Sequence, residues 1–357
     1  MAKRSTKKVD AFIEKNRASV SLDGLRAMLK RRPRTLEEMA GALGNTPGEV
    51  LDACGALRKA GANVHQYGSL WSIETTPAKV EDIHMFKSDA KGHYRFGVIS
   101  DTHLGSKYQR LDVCEELYDV FVGKGVKAVL HGGNMIEGEA RFNRADLLPE
   151  AHGMQAQIDY FVEHYPRRSG ITTYFVAGDD HEGWYAQREG VDIGRMIEDA
   201  AVRAGRNDLR YVGYMEAFFT LQHRRSGKTA KLLLMHPGGG SAYALSYAPQ
   251  KTIEAFQPGE KPGCVIFGHW HKMEFANIRG VWSVQAGCTK DLDVFGRKKR
   301  LSYHVGGVVL DLMQDEGGAL VGCRPDFRQW FDRDYYNGQF DMARVPVKRR
   351  APHGKKP

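Results

Sequence analysis

The chain is poor in cysteine: five in 357 residues, at Cys54, Cys114, Cys264, Cys288 and Cys323. They are scattered, odd in number and never spaced as CxxC, which argues against a disulfide framework or a structural zinc site. A reducing, cytoplasmic setting is expected from that usage. No apolar run reaches 18 residues, so no segment is expected to span a bilayer. The first residues, MAKRSTKKVDAF, are basic and lack the apolar core of a secretory signal. A phosphate-cradling P-loop is absent too: Gly238-Gly239-Gly240 is not followed by Lys-Ser/Thr. No internal repeat stands out.

What is present is ordinary globular composition, 42% hydrophobic and 27% charged, with an uneven net charge of +9. Residues 1–34 hold 11 Lys/Arg against 3 Asp/Glu, and residues 341–357 hold 6 against 1, so the body between them is slightly acidic. Basic ends on an acidic body suit a polyanion such as nucleic acid, or are simply solvated tails. The length suggests a large domain and a smaller one.

Residues 20–78 read as the smaller one. Leu22, Leu25, Met28 and Leu29 share a helical face, and Pro33 ends that helix. Thr35-x-x-Glu38 and Thr46-x-x-Glu49 have capping-box spacing and open helices over 36–43 and 46–60. Two β-prone runs, 64–67 and 70–73, flank Gly68-Ser69 as a hairpin. Three helices and a hairpin resemble a winged helix-turn-helix, which implies a helix in a major groove and a hairpin tip on the backbone. Arg58 and Lys59, both at the C-terminal end of the third helix, are its only cations. That favours contact without base readout; a protein-docking role is the alternative.

A basic tail is expected over 1–19, a linker over 79–92, the large domain over 93–335 and a second basic tail over 336–357. In the large domain, apolar runs of strand length recur at 94–100, 126–131, 172–177, 231–235 and 264–267. Each is followed by polar residues: Asp101-Thr102-His103, Gly133-Asn134, Gly178-Asp179-Asp180-His181-Glu182, His236, and Gly268-His269-Trp270-His271. Loops at strand ends converge while the strands hold them, so sites form there. One DxH or HxH means little. Five such groups supply enough imidazole and carboxylate for two ions such as Mn, Fe or Zn.

This ordered set resembles the calcineurin-like metallophosphoesterases over residues 94–310. The resemblance implies an α/β fold, a calcineurin-like four-layer β-sandwich flanked by helices, here preceded by the small winged-helix domain. It implies that Asp101, His103 and His271 hold one metal and His236 and His269 the other. The residue after Gly133 would bridge them, and the residue before His181 would bind the second. His181 would be the catalytic imidazole, and a metal-activated hydroxide would attack phosphorus in line. Two divalent ions are implied, Mn favoured by analogy, with Fe or Zn as alternatives.

The chain departs from the family pattern at two positions. Asn134 stands where the family has a bridging Asp, and Asp180 where it has Asn. The number of carboxylates is unchanged, so Asp180 is expected to carry the displaced charge and Asn134 to bind through its amide oxygen. The other reading is a metal-poor or inactive site. Asp179 competes with Asp180 as ligand.

Arg141 is a candidate to grip a substrate phosphate, with Glu137, Glu139, Asn143, His152 and Gln155 as weaker neighbours. Trp184, Tyr185, Tyr243 and Tyr247 could stack on a base or be buried. Arg297, Lys298, Lys299 and Arg300 form a basic run for a phosphate backbone or a solvated turn. The expected function is a two-metal phosphodiesterase acting on nucleic acid, most simply DNA. The alternatives are a phosphoesterase for small molecules or proteins, or a non-catalytic DNA-binding protein. The presence of His181 argues against the last.

Overall fold

The computed structural model describes residues 20–32, 34–59, 62, 64–67, 69–73, 84–240, 244–257 and 259–333. The chain divides into two compact units, 1–83 and 84–357. The basic runs expected at 1–19 and 336–357 lie outside the described residues, as does Tyr243.

In the first unit, α1 (Leu22–Arg31) is capped by Ser21, whose Oγ accepts the Gly24 N–H at 3.1 Å. β1 (Arg34–Thr35) leads into α2 (Leu36–Leu43), which ends at Gly44 in the left-handed conformation. α3 (Pro47–Lys59) opens with a reciprocal capping box. Thr46 Oγ1 accepts the Glu49 N–H at 3.3 Å, and Glu49 Oε2 accepts the Thr46 N–H at 2.8 Å. β2 (Val64–Tyr67) and β3 (Leu70–Ile73) complete a three-stranded sheet in the order β1-β3-β2. Leu25, Leu29, Met39, Val50, Leu57 and Trp71 form its core.

The second unit runs β4 (Met85–Lys87), β5 (His93–Ile99), α4 (Leu111–Gly123), β6 (Ala128–His131), α5 (Met154–His164) and β7 (Thr172–Ala177). It continues α6 (Gly183–Glu189), α7 (Ile193–Arg203), β8 (Leu209–Tyr214), β9 (Glu216–Gln222), β10 (Thr229–Met235) and α8 (Tyr247–Ala255). It ends β11 (Cys264–Phe267), β12 (Met273–Ile278), β13 (Val281–Ala286), α9 (Val294–Lys299), β14 (Val305–Gln314) and β15 (Leu320–Trp330). Two six-stranded sheets form, ordered β12-β13-β11-β10-β9-β4 and β15-β14-β5-β6-β7-β8.

The layers follow from which faces are apolar. Phe96, Val98, Leu130, Phe219, Leu234 and Ile266 meet between the sheets. On the outer face of the second sheet, Leu117 and Phe121 of α4, Phe161 of α5 and Ile197 of α7 pack with Ile99, Val129 and Phe175. On the outer face of the first, Ile253 of α8 packs with Leu233, Val265 and Phe267. The result is helices, sheet, sheet, helix. β6 and β11 are buried along their whole length, which is why both read as unbroken apolar runs.

One boundary differs from expectation. The stretch 79–92, polar enough to read as a linker, contains β4, which pairs parallel with β9. Phe86 packs against Phe96 and Phe219 at ring distances of 5.0 and 5.5 Å. Three residues are too few to show a period, so burial of Phe86 decided the strand, not a local pattern.

Candidate metal centre and active site

β5, β6 and β7 run parallel in one sheet, and β10 and β11 run parallel in the other. Their C-terminal ends deliver all five polar groups to one place. There the chain must leave each strand sharply. Asp101, His103, Asn134, His181, His269 and His271 all have φ between 47° and 79°, the left-handed region. The site residues make these turns themselves. Each such non-glycine conformation costs about 1–3 kcal/mol and persists only where its surroundings hold it. Two glycines permit close approach. A Cβ on Gly178 would lie 2.6 Å from Asn134 Oδ1, and one on Gly133 (φ 94°) would lie 2.5 Å from His236 Nδ1.

Two groups of ligand-type atoms result: Asp101 with His103 and His271, and Asp180 with His236 and His269. In the first, His103 Nε2 and His271 Nε2 face each other at 3.3 Å, and Asp101 Oδ1 is 3.3 Å from His271 Nε2. In the second, Asp180 Oδ1 is 3.1 Å from His236 Nε2, and Oδ2 is 3.3 Å from His269 Nδ1. Asp179 is not part of either group: its Oδ1 accepts from Tyr214 Oη at 2.5 Å and Gln187 Nε2 at 3.1 Å. Asn134, 1% exposed, lies between the two. Its Nδ2 donates to Asp101 Oδ1 at 3.3 Å, and its Oδ1 has no hydrogen-bond partner.

The outer contacts fix which imidazole nitrogen faces inward. His236 Nδ1 donates to Gly132 O at 2.6 Å, and His269 Nε2 donates to Gly239 O at 2.5 Å. That leaves His236 Nε2 and His269 Nδ1 as acceptors beside the Asp180 carboxylate. His103 Nδ1 lies 3.0 Å from Glu137 Oε2, leaving Nε2 toward His271. Acceptors facing acceptors, with an orphaned amide oxygen among them, form a donor set that fits divalent cations. The electrostatics agree. Burial would raise both carboxyls, but His271, His236 and His103 hold Asp101 well below the usual range, and His236 and His269 do the same for Asp180. Burial would lower His236, yet Asp180 and Asp101 push it up to about 9, so without an ion Nε2 carries a proton toward Asp180, which a bound cation would replace. The pocket draws in positive charge.

His103, Glu137 and His181 form a third cluster, in which Glu137 is already paired with an ammonium. Lys290, 1% exposed, places Nζ 2.9 Å from Glu137 Oε2 and 2.8 Å from Asp293 Oδ2. His181 Nδ1 donates to Glu137 O at 2.9 Å, which orients the ring and leaves Nε2 for chemistry.

Several residues that sequence reasoning passed over hold this arrangement. Glu182 is fully buried and accepts N–H bonds from Asn134, Met135, Ile136 and Gly178 at 2.7–3.2 Å. One carboxylate thus ties the Asn134 loop to the Asp180 loop. Burial pushes its carboxyl up to about 7, against the pull of those donors. Buried His131 accepts the Gly133 N–H on Nδ1 at 3.2 Å, and Ser100 donates to Asp101 Oδ2 at 2.5 Å. Lys290 and Asp293 lie in a Lys-x-x-Asp spacing, a faint signal in hindsight.

Other candidates fall at varying removes. Arg141 is exposed, and among the described residues no hydrogen bond or ion pair joins it to either histidine group. Glu139 pairs with Arg144 at 3.1 Å and lies 3.7 Å from His152. Asn143 donates to Glu137 Oε1 at 3.1 Å. Gln155 bonds Asp159 one turn on, an ordinary helix pair. Tyr185 is buried, which removes it from stacking, whereas Tyr247 is 53% exposed under Lys251. Arg58 Nε donates to Val64 O at 2.7 Å, and its guanidinium sits 5.0 Å over Trp71, tying α3 to the hairpin. The side chain of Lys59 lies outside the description.

Arg297, Lys298, Lys299 and Arg300 are exposed on the last turn of α9 and its cap. That basic run is joined to the site, not remote from it. Asp293, which caps α9 by accepting the Gly296 N–H at 2.7 Å, also pairs with Lys290. Tyr303 Oη bonds Asp293 at 3.3 Å, and its ring meets His271 at 4.3 Å.

Fold and site together define a metal-dependent phosphoester hydrolase. Residues 94–305 match the calcineurin-like phosphoesterase superfamily domain, and the chain belongs to that superfamily. No curated protein matches it significantly. Among solved structures it is similar to an archaeal phosphodiesterase, at 14% identity over 66% of this chain and 100% of that one, with a TM-score of 0.33. It is similar to a predicted phosphoesterase of Streptococcus pneumoniae at 14% identity, covering 66% and 98%, TM-score 0.28. Vps29 of Entamoeba histolytica, solved with zinc, matches at 12% identity, covering 66% and 99%, TM-score 0.29. Likenesses this distant add nothing to the assignment of a substrate. Among the described residues, no helix is long and apolar enough to cross a membrane.

Proposed function

We propose that the protein is a two-metal phosphodiesterase that hydrolyses nucleic acid. The observation that carries this reading is the joining of the paired ligand groups to an exposed basic turn through Glu137, Lys290 and Asp293. A small-molecule site has no need of four adjacent cations at its flank; a phosphate backbone does.

Asp101, His103 and His271 would hold one ion and Asp180, His236 and His269 the other, with the Asn134 amide oxygen between them. Bound there, divalent ions supply Lewis acidity toward the phosphoryl oxygens and a nucleophile at neutral pH. Mn²⁺ suits this carboxylate-imidazole set, as would Fe or Zn. His181, oriented by Glu137 O, donates from Nε2 to the phosphoryl or leaving oxygen. The exposed cations of α9 steer and hold the strand. The first unit, with three helices and a hairpin, supports docking of the same polymer as a winged helix, through contacts that do not read bases. Five free cysteines suit a cytoplasmic setting.

The test is incubation with Mn²⁺ and labelled single- and double-stranded DNA, beside bis-p-nitrophenyl phosphate. Metal-dependent cleavage of DNA is expected. Cleavage of the small diester alone would favour a small-molecule or protein substrate. DNA retention with neither activity would favour a pure binding protein.

A further inference from the structure

Phe142 is the most exposed large hydrophobic side chain among those described, at 67%. It does not sit on a loose loop. Ala140 N–H bonds Asn143 Oδ1 at 2.8 Å, and Asn143, 4% exposed, donates back to Glu137 Oε1 at 3.1 Å. The turn that carries Phe142 is therefore fastened to the carboxylate beside His103 and His181. Its ring meets Trp184 edge to face, centroids 5.2 Å apart at 76°. Trp184 in turn lies over His181 at 4.8 Å and 30°. A chain of rings runs from the catalytic imidazole to solvent.

Holding an apolar ring in water on a pinned turn has no folding benefit; about 25 cal/mol per Å2 of apolar surface is forgone. Arg141 precedes it, also exposed, and beyond Arg141 lies a pocket of about 470 Å3 bordered by Arg144, Tyr185 and Arg188. Arg144 and Arg188 are paired with Glu139 and Glu189 there, which leaves the exposed Phe142 ring beside the Arg141 guanidinium, the combination a base with its phosphate would meet.

We infer that Phe142, backed by Trp184, is a stacking platform for the nucleobase next to the scissile phosphate. The inference rests on the nucleic-acid reading and deepens it. The platform takes any base, because every base offers a π face, so it gives grip near the cut without sequence preference. It also favours unpaired strands, since a base in a duplex is already stacked on its neighbours.

The experiment compares wild type, Phe142→Ala and Phe142→Trp, all loaded with Mn²⁺. Substrates are a single-stranded oligonucleotide and the same oligonucleotide made abasic on either side of the cleaved bond. Because Phe142 is exposed, the alanine variant should fold as the wild type does. On the intact strand, Phe142→Ala is expected to raise KM about 5- to 150-fold with kcat within about twofold. Phe142→Trp should restore KM, and on the abasic strand all three should be alike. Equal KM for wild type and Phe142→Ala on the intact strand overturns the platform while leaving the nuclease reading standing, as does an equal loss on the abasic strand. Cleavage of bis-p-nitrophenyl phosphate without any oligonucleotide cleavage by wild type overturns both.

Discussion

The Asp180 carboxylate lies 3.1 Å from His236 Nε2, within the group it forms with His236 and His269. Asn134, whose place in the family pattern belongs to a bridging carboxylate, stays between the groups as an amide. On the two-metal reading, the displaced carboxylate would sit with the His236 and His269 group instead of between the two groups. Asp180→Asn should therefore weaken metal binding more than Asn134→Ala does. Outer partners of metal ligands are worth about 10–100-fold in affinity, so loss of a ligand carboxylate should cost at least that. Titration calorimetry with Mn²⁺ checks it; the opposite order would return the dominant role to Asn134.

Asp179 is the control for that experiment. Its carboxylate is taken up by Tyr214 and Gln187. Asp179→Asn should leave metal affinity within about twofold of wild type and cost no more than one hydrogen bond of stability, about 1 kcal/mol. A large drop in bound metal would show that Asp179 turns inward when an ion binds.

Lys290 is an ammonium buried between two carboxylates. Lys290→Met leaves Glu137 and Asp293 facing each other without a counter-charge, a change that costs roughly 3–5 kcal/mol. Denaturant unfolding should show this loss. Adding Glu137→Gln to that variant should recover part of it, because one of the stranded charges is gone.

Glu182 accepts four backbone N–H bonds across two loops. Glu182→Gln turns one acceptor oxygen into an amide NH2 with backbone donors already facing it, and about 1–3 kcal/mol of stability should be lost. The loops it ties carry Asn134 and Asp180, so bound metal should fall as well. Unchanged metal content with normal stability would mean other contacts suffice to hold the loops.

The α9 cations predict a salt effect. Lys298→Ala with Lys299→Ala should weaken DNA binding evenly across sequences and flatten the salt dependence by about one unit per cation removed. An unaltered slope, measured by fluorescence anisotropy between low and moderate salt, would make that turn a solvated surface.

Much of the fold was legible in the chain. The apolar runs at 126–131 and 264–267 contain β6 and β11, which are apolar throughout because both faces are buried, and the run at 172–177 is β7. The five polar groups after the strands were legible for the same reason: they interrupt those runs abruptly. β4 was not, since only the pairing of Met85–Lys87 with β9 makes it a strand. Glu182, Lys290 and Phe142 were not, since a buried carboxylate, a buried ammonium and an exposed ring look in sequence like their commoner opposites.

By itself the sequence determined the five apolar runs that lead to the site, the residue types at their ends and the number of carboxylates, all of which are local or additive properties. Only the tertiary structure decided which carboxylate serves which histidines. His103 and His271 stand 168 residues apart, yet their ring nitrogens face each other at 3.3 Å. Lone-pair directions depend on such contacts and on left-handed backbone at Asp101, Asn134 and His269, conformations that the surrounding packing holds in place. Residue type sets what a group can bind; only its neighbours in space set where its electrons point.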